Sequence, residues 1–302
     1  MITNLHKPIM VDEILSFIDD KKELSILDCT FGGGGHAQKF LDKGHYVTAI
    51  DQDKNAINSA EELSKRNSKL SFYKINFKNL DKLNLKKNPY KFNLILLDLG
   101  FSSNQLENEN IGISFKINSK LNMNYLDGDV TAHEIINNYN IDELTRVFQE
   151  YGEITHSKKL SEFIIKARSK KTIETNFELI EVIRNSGINF RSKKIHFATQ
   201  AFQALRIEAN KEINNLNKFL KKAHSFIEKK GYLAIISFHS LEDRVVKNYF
   251  KSNSIKKNYI FNNNQDWGYE ILTKKPLTPS KSEIKQNNRA RSAKLRVGRF
   301  VH

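Results

Sequence analysis

A chain of 302 residues with 39% apolar and 10% aromatic residues holds one large domain or two ordinary ones and can bury a core, which excludes global disorder. No apolar run approaches the roughly 20 residues of a membrane span, and Met1–Lys7 lacks the apolar core of a secretory signal. A single cysteine, Cys29, excludes an internal disulfide and a cysteine-based metal cluster, and together these features predict a cytoplasmic protein.

Strand and helix signals alternate over the first hundred residues. Leu24–Asp28 is a short apolar run ending in an acid, followed by the turn Gly32-Gly-Gly-Gly35. Ala37–Leu41 opens a helix, and Tyr46–Asp51 is a β-branched strand. Asn55–Lys65 carries Ala56, Ile57 and Ala60 at helical spacing. Leu70–Ile75 alternates as a third strand, and Phe92–Asp98 reads as a buried fourth. Strands separated by helices predict a parallel, doubly wound α/β sheet.

The pattern changes after about residue 105. Leu144, Val147, Phe148 and Tyr151 form a helical stripe that ends before Gly152. Phe163, Ile164 and Ala167 form another, and Phe177–Ile183 a third that stops before Gly187. A long helical stretch is expected over 197–230. A strand then returns at Gly231–Phe238, followed by a helix over Leu241–Phe250, and two further strand-like pieces lie between Tyr269 and Val301. The predicted organisation is an α/β domain over 1–105 and 213–302, interrupted by an inserted all-helical domain over 106–212.

Open α/β sheets bind ligands beyond the carboxyl ends of their strands. Four such ends carry unusual residues. The glycines after the first strand let backbone approach a ligand. Asp51 at the second end suits two ribose hydroxyls. Asn76-Phe77 at the third offers an amide and an aromatic beside an adenine ring, and Asp98-Leu-Gly-Phe-Ser-Ser103 closes the fourth. Glycine also serves plain turns, a strand-terminal Asp is often a helix cap, and a lone Phe is usually core. Four together in chain order predict an adenosine-containing cofactor. Spacing alone leaves an NAD-dependent oxidoreductase open, because Gly32-x-Gly34-x-x-Ala37 also satisfies a permissive dinucleotide fingerprint. Against it stand His36 in the turn and the lack of a second nucleotide-binding half.

The formal charge of +15 is concentrated. Residues 271–302 hold nine lysines and arginines against one acid, Glu283, over half the net charge in about a tenth of the chain. That distribution predicts a polyanionic partner, with nucleic acid first. A non-enzymatic RNA-binding protein would account for the charge but leave the strand ends idle.

Seven blocks in order are similar to the RsmH (MraW) family of bacterial 16S rRNA cytosine-N4 methyltransferases. They are His6–Glu13, Asp28-Cys-Thr-Phe-Gly-Gly-Gly-Gly-His36, Ala49-Ile-Asp-Gln-Asp53, Leu97–Leu106, Phe202-Gln-Ala-Leu-Arg-Ile207, Ser237–Arg244 and Asn288–Arg296. The resemblance implies a Rossmann-like class I methyltransferase sheet with a helical insert and S-adenosyl-L-methionine as cofactor. It also implies one cytosine of the decoding region of 16S rRNA, within the small ribosomal subunit, as substrate. Carried over by motif, cofactor contacts fall on Gly34, Gly35, His36, Asp51, Phe77, Asp98 and Gln105. One block departs: the family's Leu-Asp-Met-Arg-Met is here Leu121-Asn-Met-Asn-Tyr125. If the lost charges formed only an ion pair within the insert, their joint loss is nearly neutral; if they positioned RNA or cofactor, activity is weakened. The intact strand-end motifs favour retained activity.

Transfer of a sulfonium methyl to an amine needs alignment more than strong acid catalysis. Asp98, Ser102 with Ser103, and His239 are the candidates to contact the acceptor; the serines are weighed against helix or turn capping, and His239 against a structural hydrogen-bonding role before Ser240, the expected helix N-cap. Attack through C5 of cytosine would need a cysteine nucleophile, and Cys29 inside the turn reads better as a small buried residue. No metal-ligand spacing is apparent, so no metal is expected. The target base must leave its stack or already be single-stranded, and Arg289, Arg291, Lys294 and Arg296 are the phosphate-contact candidates.

Overall fold

The computed structural model describes residues 8–18, 22–83, 91–100, 111–125, 130–188, 196–255 and 266–301. The chain divides into two compact units, one made of Met1–Gly100 with Ile213–His302 and the other of Phe101–Glu212.

The first unit is built on a seven-stranded sheet: β1 (Ser25–Asp28), β2 (Tyr46–Asp51), β3 (Leu70–Lys74), β4 (Phe92–Asp98), β5 (Ile227–Ser237), β6 (Gly268–Ile271) and β7 (Lys294–Val301). Their order is β3-β2-β1-β4-β5-β7-β6. The first five are parallel, and β7 runs antiparallel between β5 and β6. This is the Rossmann-like α/β architecture. Successive residues of the central strands enter different cores: Ile26, Leu94, Leu96 and Ile236 join one cluster, while Leu27, Ile95, Leu97 and Ile235 join the other. That is why these strands read as continuous apolar runs rather than alternating ones. Each fully buried Leu or Ile contributes about 1.5–3 kcal/mol.

Helices α1 (Val11–Leu15), α2 (Gly35–Asp42) and α3 (Lys54–Arg66) belong to this unit. So do three later ones in chain order: α9 (Glu212–Ala223, from Ile213 on), α10 (Ser240–Ser252) and α11 (Lys281–Gln286). Asp53 caps α3 by accepting a hydrogen bond from the Asn55 N–H. The fifth strand begins four residues before the expected Gly231. Its register against β4 shifts between Phe92 and Leu94, and a Cβ on Gly231 would lie 2.9 Å from the Phe92 carbonyl oxygen. A glycine marks this irregularity, so the strand continues through it rather than starting at it.

The second unit is helical: α4 (Ala132–Asn138), α5 (Ile141–Glu150), α6 (Ser157–Arg168), α7 (Asn176–Asn185) and α8 (Thr199–Asn210). Three of these helices start with reciprocal caps, Thr131 with Glu134, Asn140 with Glu143, and Thr175 with Glu178. Leu144, Phe148, Leu160, Leu179, Phe202 and Leu205 form its core. Two expectations fail in detail. Phe177 stands 39% exposed, because α7 buries Leu179, Ile180 and Ile183 instead. The long helical stretch is broken at Lys211, whose left-handed backbone (φ 51°) ends α8.

Candidate active site

The carboxyl ends of β1, β2, β3 and β4 carry the residues singled out from sequence. After β1 the chain turns through Gly32 (φ 53°) and Gly34 (φ 81°) into α2, whose amino end has no side-chain cap. Gly34 is required twice over: its backbone is left-handed, and a Cβ there would stand 2.7 Å from the Phe31 ring. Gly32, by contrast, borders open space among the described residues, with the Thr30 carbonyl oxygen at 4.0 Å from where a Cβ would sit. Gly35 is the first residue of α2.

Asp51 ends β2 and holds the turn. Its Oδ2 accepts from the Gly32 N–H at 2.8 Å, and its Oδ1 accepts from the Asp53 N–H at 2.8 Å. Burial raises its carboxyl above the ordinary range, while those N–H donors pull it back. Both oxygens are fixed in direction and each keeps a lone pair, as a ribose acceptor requires. After β3, Asn76 Oδ1 accepts from the Lys78 N–H, and its amide nitrogen donates to Gln52 Oε1, tying the third strand end to the second. Phe77 lies half-buried, edge-on to Phe219 at 5.8 Å.

Asp98 ends β4. Its N–H donates to Thr30 Oγ1 at 2.8 Å, and the Thr30 N–H donates to Asp28 Oδ1 at 3.1 Å, so one threonine links the ends of β1 and β4. His36 donates from Nε2 to the Ile9 carbonyl at 2.9 Å, which turns Nδ1 toward Asp98 Oδ2 at 3.8 Å. Asp98 keeps 23% of its side chain open, yet its Oδ1 is sealed and has no partner among the described residues; Asp28 Oδ2 is in the same position. Burial pushes the Asp28 carboxyl up to about 7, with the Thr30 N–H opposing and the charge of Asp51 adding. It raises Asp98 still more clearly, helped by the charges of Asp28 and Glu242. The Cys29 thiol is held well above its ordinary value by burial and by Asp28, so it stays protonated and is no nucleophile.

His239, rather than the expected Ser240, takes the capping position. It is the N-cap of α10: its Nδ1 accepts from the Glu242 N–H at 3.4 Å, while Glu242 Oε2 accepts from the N–H groups of Phe238 and His239. Only 9% of its side chain is exposed. The cue was Glu242 three residues on, which completes a capping box with an unusual first member. Ser102, Ser103 and Gln105 lie outside the described residues.

Of the four basic candidates, Arg289 and Arg291 are exposed on the short turn Asn288–Ser292. Lys294 stands 3.5 Å from Asp243 Oδ2. Arg296 is corrected: it is buried, and its guanidinium grips both oxygens of Asp243 at 2.6 and 3.3 Å, leaving it unsuited to phosphate. Glu283, the one acid of the basic tail, accepts from the Met10 N–H at 2.7 Å.

The sheet order, the glycine turn and the acids at successive strand ends together define a class I S-adenosylmethionine-dependent methyltransferase. The donor set fits that cofactor: rigid acceptors at β2 and, among the described residues, open space at Gly32 and sealed carboxylate oxygens at β1 and β4 without a partner. Residues 3–301 match the model of the MraW methylase family, and the chain belongs to that family. It is 38% identical over 309 residues to the protein named Ribosomal RNA small subunit methyltransferase H of Clostridioides difficile (strain 630), covering 98% of this chain and 99% of that one. It is 41% identical over 308 residues to the protein of the same name from Rickettsia bellii (strain RML369-C), with 98% and 99% covered. This full-length match overturns the NAD oxidoreductase alternative, which rested on the turn and Asp51 alone.

Proposed function

We propose that this protein transfers a methyl group from S-adenosyl-L-methionine to the exocyclic N4 amine of a cytosine in the decoding region of 16S rRNA. The observation that carries this reading is the family match over residues 3–301, joined to acids at the carboxyl ends of β1, β2 and β4. The substrate is the rRNA within the small ribosomal subunit, and the protein acts in the cytoplasm; no described helix is long and apolar enough to cross a membrane. In this reading residues 1–105 and 213–302 form the methyltransferase domain, and 106–212 the insert.

When bound, the cofactor supplies an electrophilic methyl on sulfur. Asp51 holds the ribose through its two fixed oxygens, and Gly34, Gly35 and His36 shape the turn that receives the rest of the cofactor. Phe77 flanks the adenine, with Gln105 completing the set. Asp98 and Ser102 are the groups that accept from the amine's hydrogens, orienting its weak lone pair along the line of displacement. Arg289 and Arg291 hold phosphates of the RNA. In this reading activity is retained despite the departure at Leu121–Tyr125, because the strand-end motifs are intact; Asn122 and Asn124 make local hydrogen bonds. Asn122 Oδ1 accepts from the Asn124 N–H at 3.3 Å, and Asn124 Nδ2 donates to the Val130 carbonyl at 3.3 Å.

The test is mass spectrometry of small-subunit rRNA from cells lacking this protein, with and without a restored copy. Loss and recovery of one N4-methylcytosine signal is expected. An unchanged nucleoside profile overturns the assignment.

A further inference from the structure

The strand ends hold a cluster of acids whose members are not equivalent. Asp51 has both oxygens on backbone N–H donors. Asp28 has one oxygen on the Thr30 N–H and the other, Oδ2, sealed and unpartnered among the described residues, on a side chain with no exposure at all. Asp98 has Oδ1 sealed and unpartnered, and Oδ2 3.8 Å from His36 Nδ1. Thr30 joins the two by donating to Asp28 and accepting from Asp98. Among the described residues, the other titratable groups facing the pair are His36 from α2, Asp51 from β2, Cys29 beside Asp28, and Glu242 from α10. Apart from His36, each of these is an acid.

Buried carboxylates without partners are costly and are relieved by holding a proton. A sulfonium has a positive charge but no N–H or O–H, so hydrogen bonding cannot recognise it. Unshielded negative charge in a poorly polarisable pocket can. The thioether left after methyl transfer has lost that charge.

We propose that Asp28 and Asp98 form a joint counter-charge through which this site distinguishes S-adenosylmethionine from its demethylated product, and that the pair gives up a proton to solvent when the cationic form binds. The proposal rests on the reading of the strand ends as an S-adenosylmethionine site. Asp28 is a positioning residue here, acting through Asp98 rather than by touching the reacting atoms. It is the member of the pair that the family motif does not assign to the cofactor.

The experiment is calorimetry of the full chain with S-adenosylmethionine and with S-adenosylhomocysteine near pH 7, in phosphate and in Tris, whose heats of protonation differ. For S-adenosylmethionine the measured heat is expected to differ between buffers in the sense of proton release. S-adenosylhomocysteine should release less, and the preference for the charged ligand should grow as pH rises from 6 to 8. In Asp28→Asn the buffer difference should shrink and the preference should fall about tenfold, the equivalent of one pH unit of proton affinity. Equal heats in the two buffers for S-adenosylmethionine overturn the proposal, as does a preference that Asp28→Asn leaves unchanged. The wild-type measurements suffice if that variant does not fold. Failure of both ligands to bind overturns the cofactor reading itself, a distinct outcome.

Discussion

Two buried amides of the helical unit and two strand-end carboxylates of the sheet unit are treated in opposite ways. The amides, Asn210 and Asn176, are bonded several times over. Asn210 Nδ2 donates to the carbonyls of Met123 and Arg206, and its Oδ1 accepts from the Tyr125 N–H. Asn176 Nδ2 donates to the carbonyls of Ser114 and Ile117, and its Oδ1 accepts from the N–H of Ser119. In the sheet unit, Asp28 and Asp98 each keep a sealed oxygen unpartnered among the described residues at the strand ends. Bonded amides stabilise a scaffold; orphaned carboxylates destabilise it and persist where a ligand needs them. The contrast sets the two strand-end carboxylates apart from the bonded amides of the helical unit.

The largest effect that tests this contrast is on stability. Leu144→Ala empties a fully buried position in the helical core, and a cost of about 2–5 kcal/mol is expected. Urea unfolding should show the loss, while the folded variant binds S-adenosylmethionine as before. A matching loss of cofactor affinity would contradict the assignment of this residue to scaffold alone. Asp51→Ala should act on binding as well as on the turn that Asp51 holds. Loss of charged acceptors for two hydroxyls, each about 1.5–3 kcal/mol, weakens cofactor binding about a hundredfold or more. Asp51→Asn, which keeps an acceptor oxygen, should recover part of it by calorimetry.

Removing the charge of Asp28 should, by contrast, stabilise the fold. Its carboxyl titrates near 4 when unfolded and is pushed up to about 7 when folded. Between these values the folded chain holds a proton that the unfolded chain has released, so its contribution to stability declines as pH rises from about 4 to about 7 and is level above. The melting temperature of Asp28→Asn should therefore gain on that of the parent across this interval. A difference that does not widen with pH would show that the charge at Asp28 carries no penalty.

Much of the site is legible in sequence because it is local. The glycine turn, Asp51 and Asp98 each lie within a few residues of a strand whose apolar run announces it. His239 was harder, since a histidine cap is uncommon and only Glu242 betrays it. Arg296 was not legible at all: its partner Asp243 is 53 residues away in the chain and meets it only once α10 and β7 share a face of the sheet unit. The same holds for Asp28, whose Oδ2 has no partner among the described residues, and no sequence pattern displays an absence.

The smallest effect concerns the basic tail, and it divides residues that sequence grouped together. Arg289 and Arg291 are exposed, so replacing both with Gln should leave the melting temperature nearly unchanged and flatten the salt dependence of binding to small-subunit rRNA. Every phosphate that goes unneutralised lowers the log–log slope by about 0.7–0.9 units. Arg296→Gln should act differently. It leaves Asp243, which burial would raise but the Arg296 and Lys294 charges hold below the usual carboxylate range, with only the more exposed lysine as partner. Stability should fall, because breaking a well-buried ion pair leaves an uncompensated charge. The RNA slope should stay as it was. If Arg296→Gln flattened the slope as much as the exposed pair does, burial would be no guide to which arginines meet phosphate, and the division between structural and RNA-facing charge in this tail would fail.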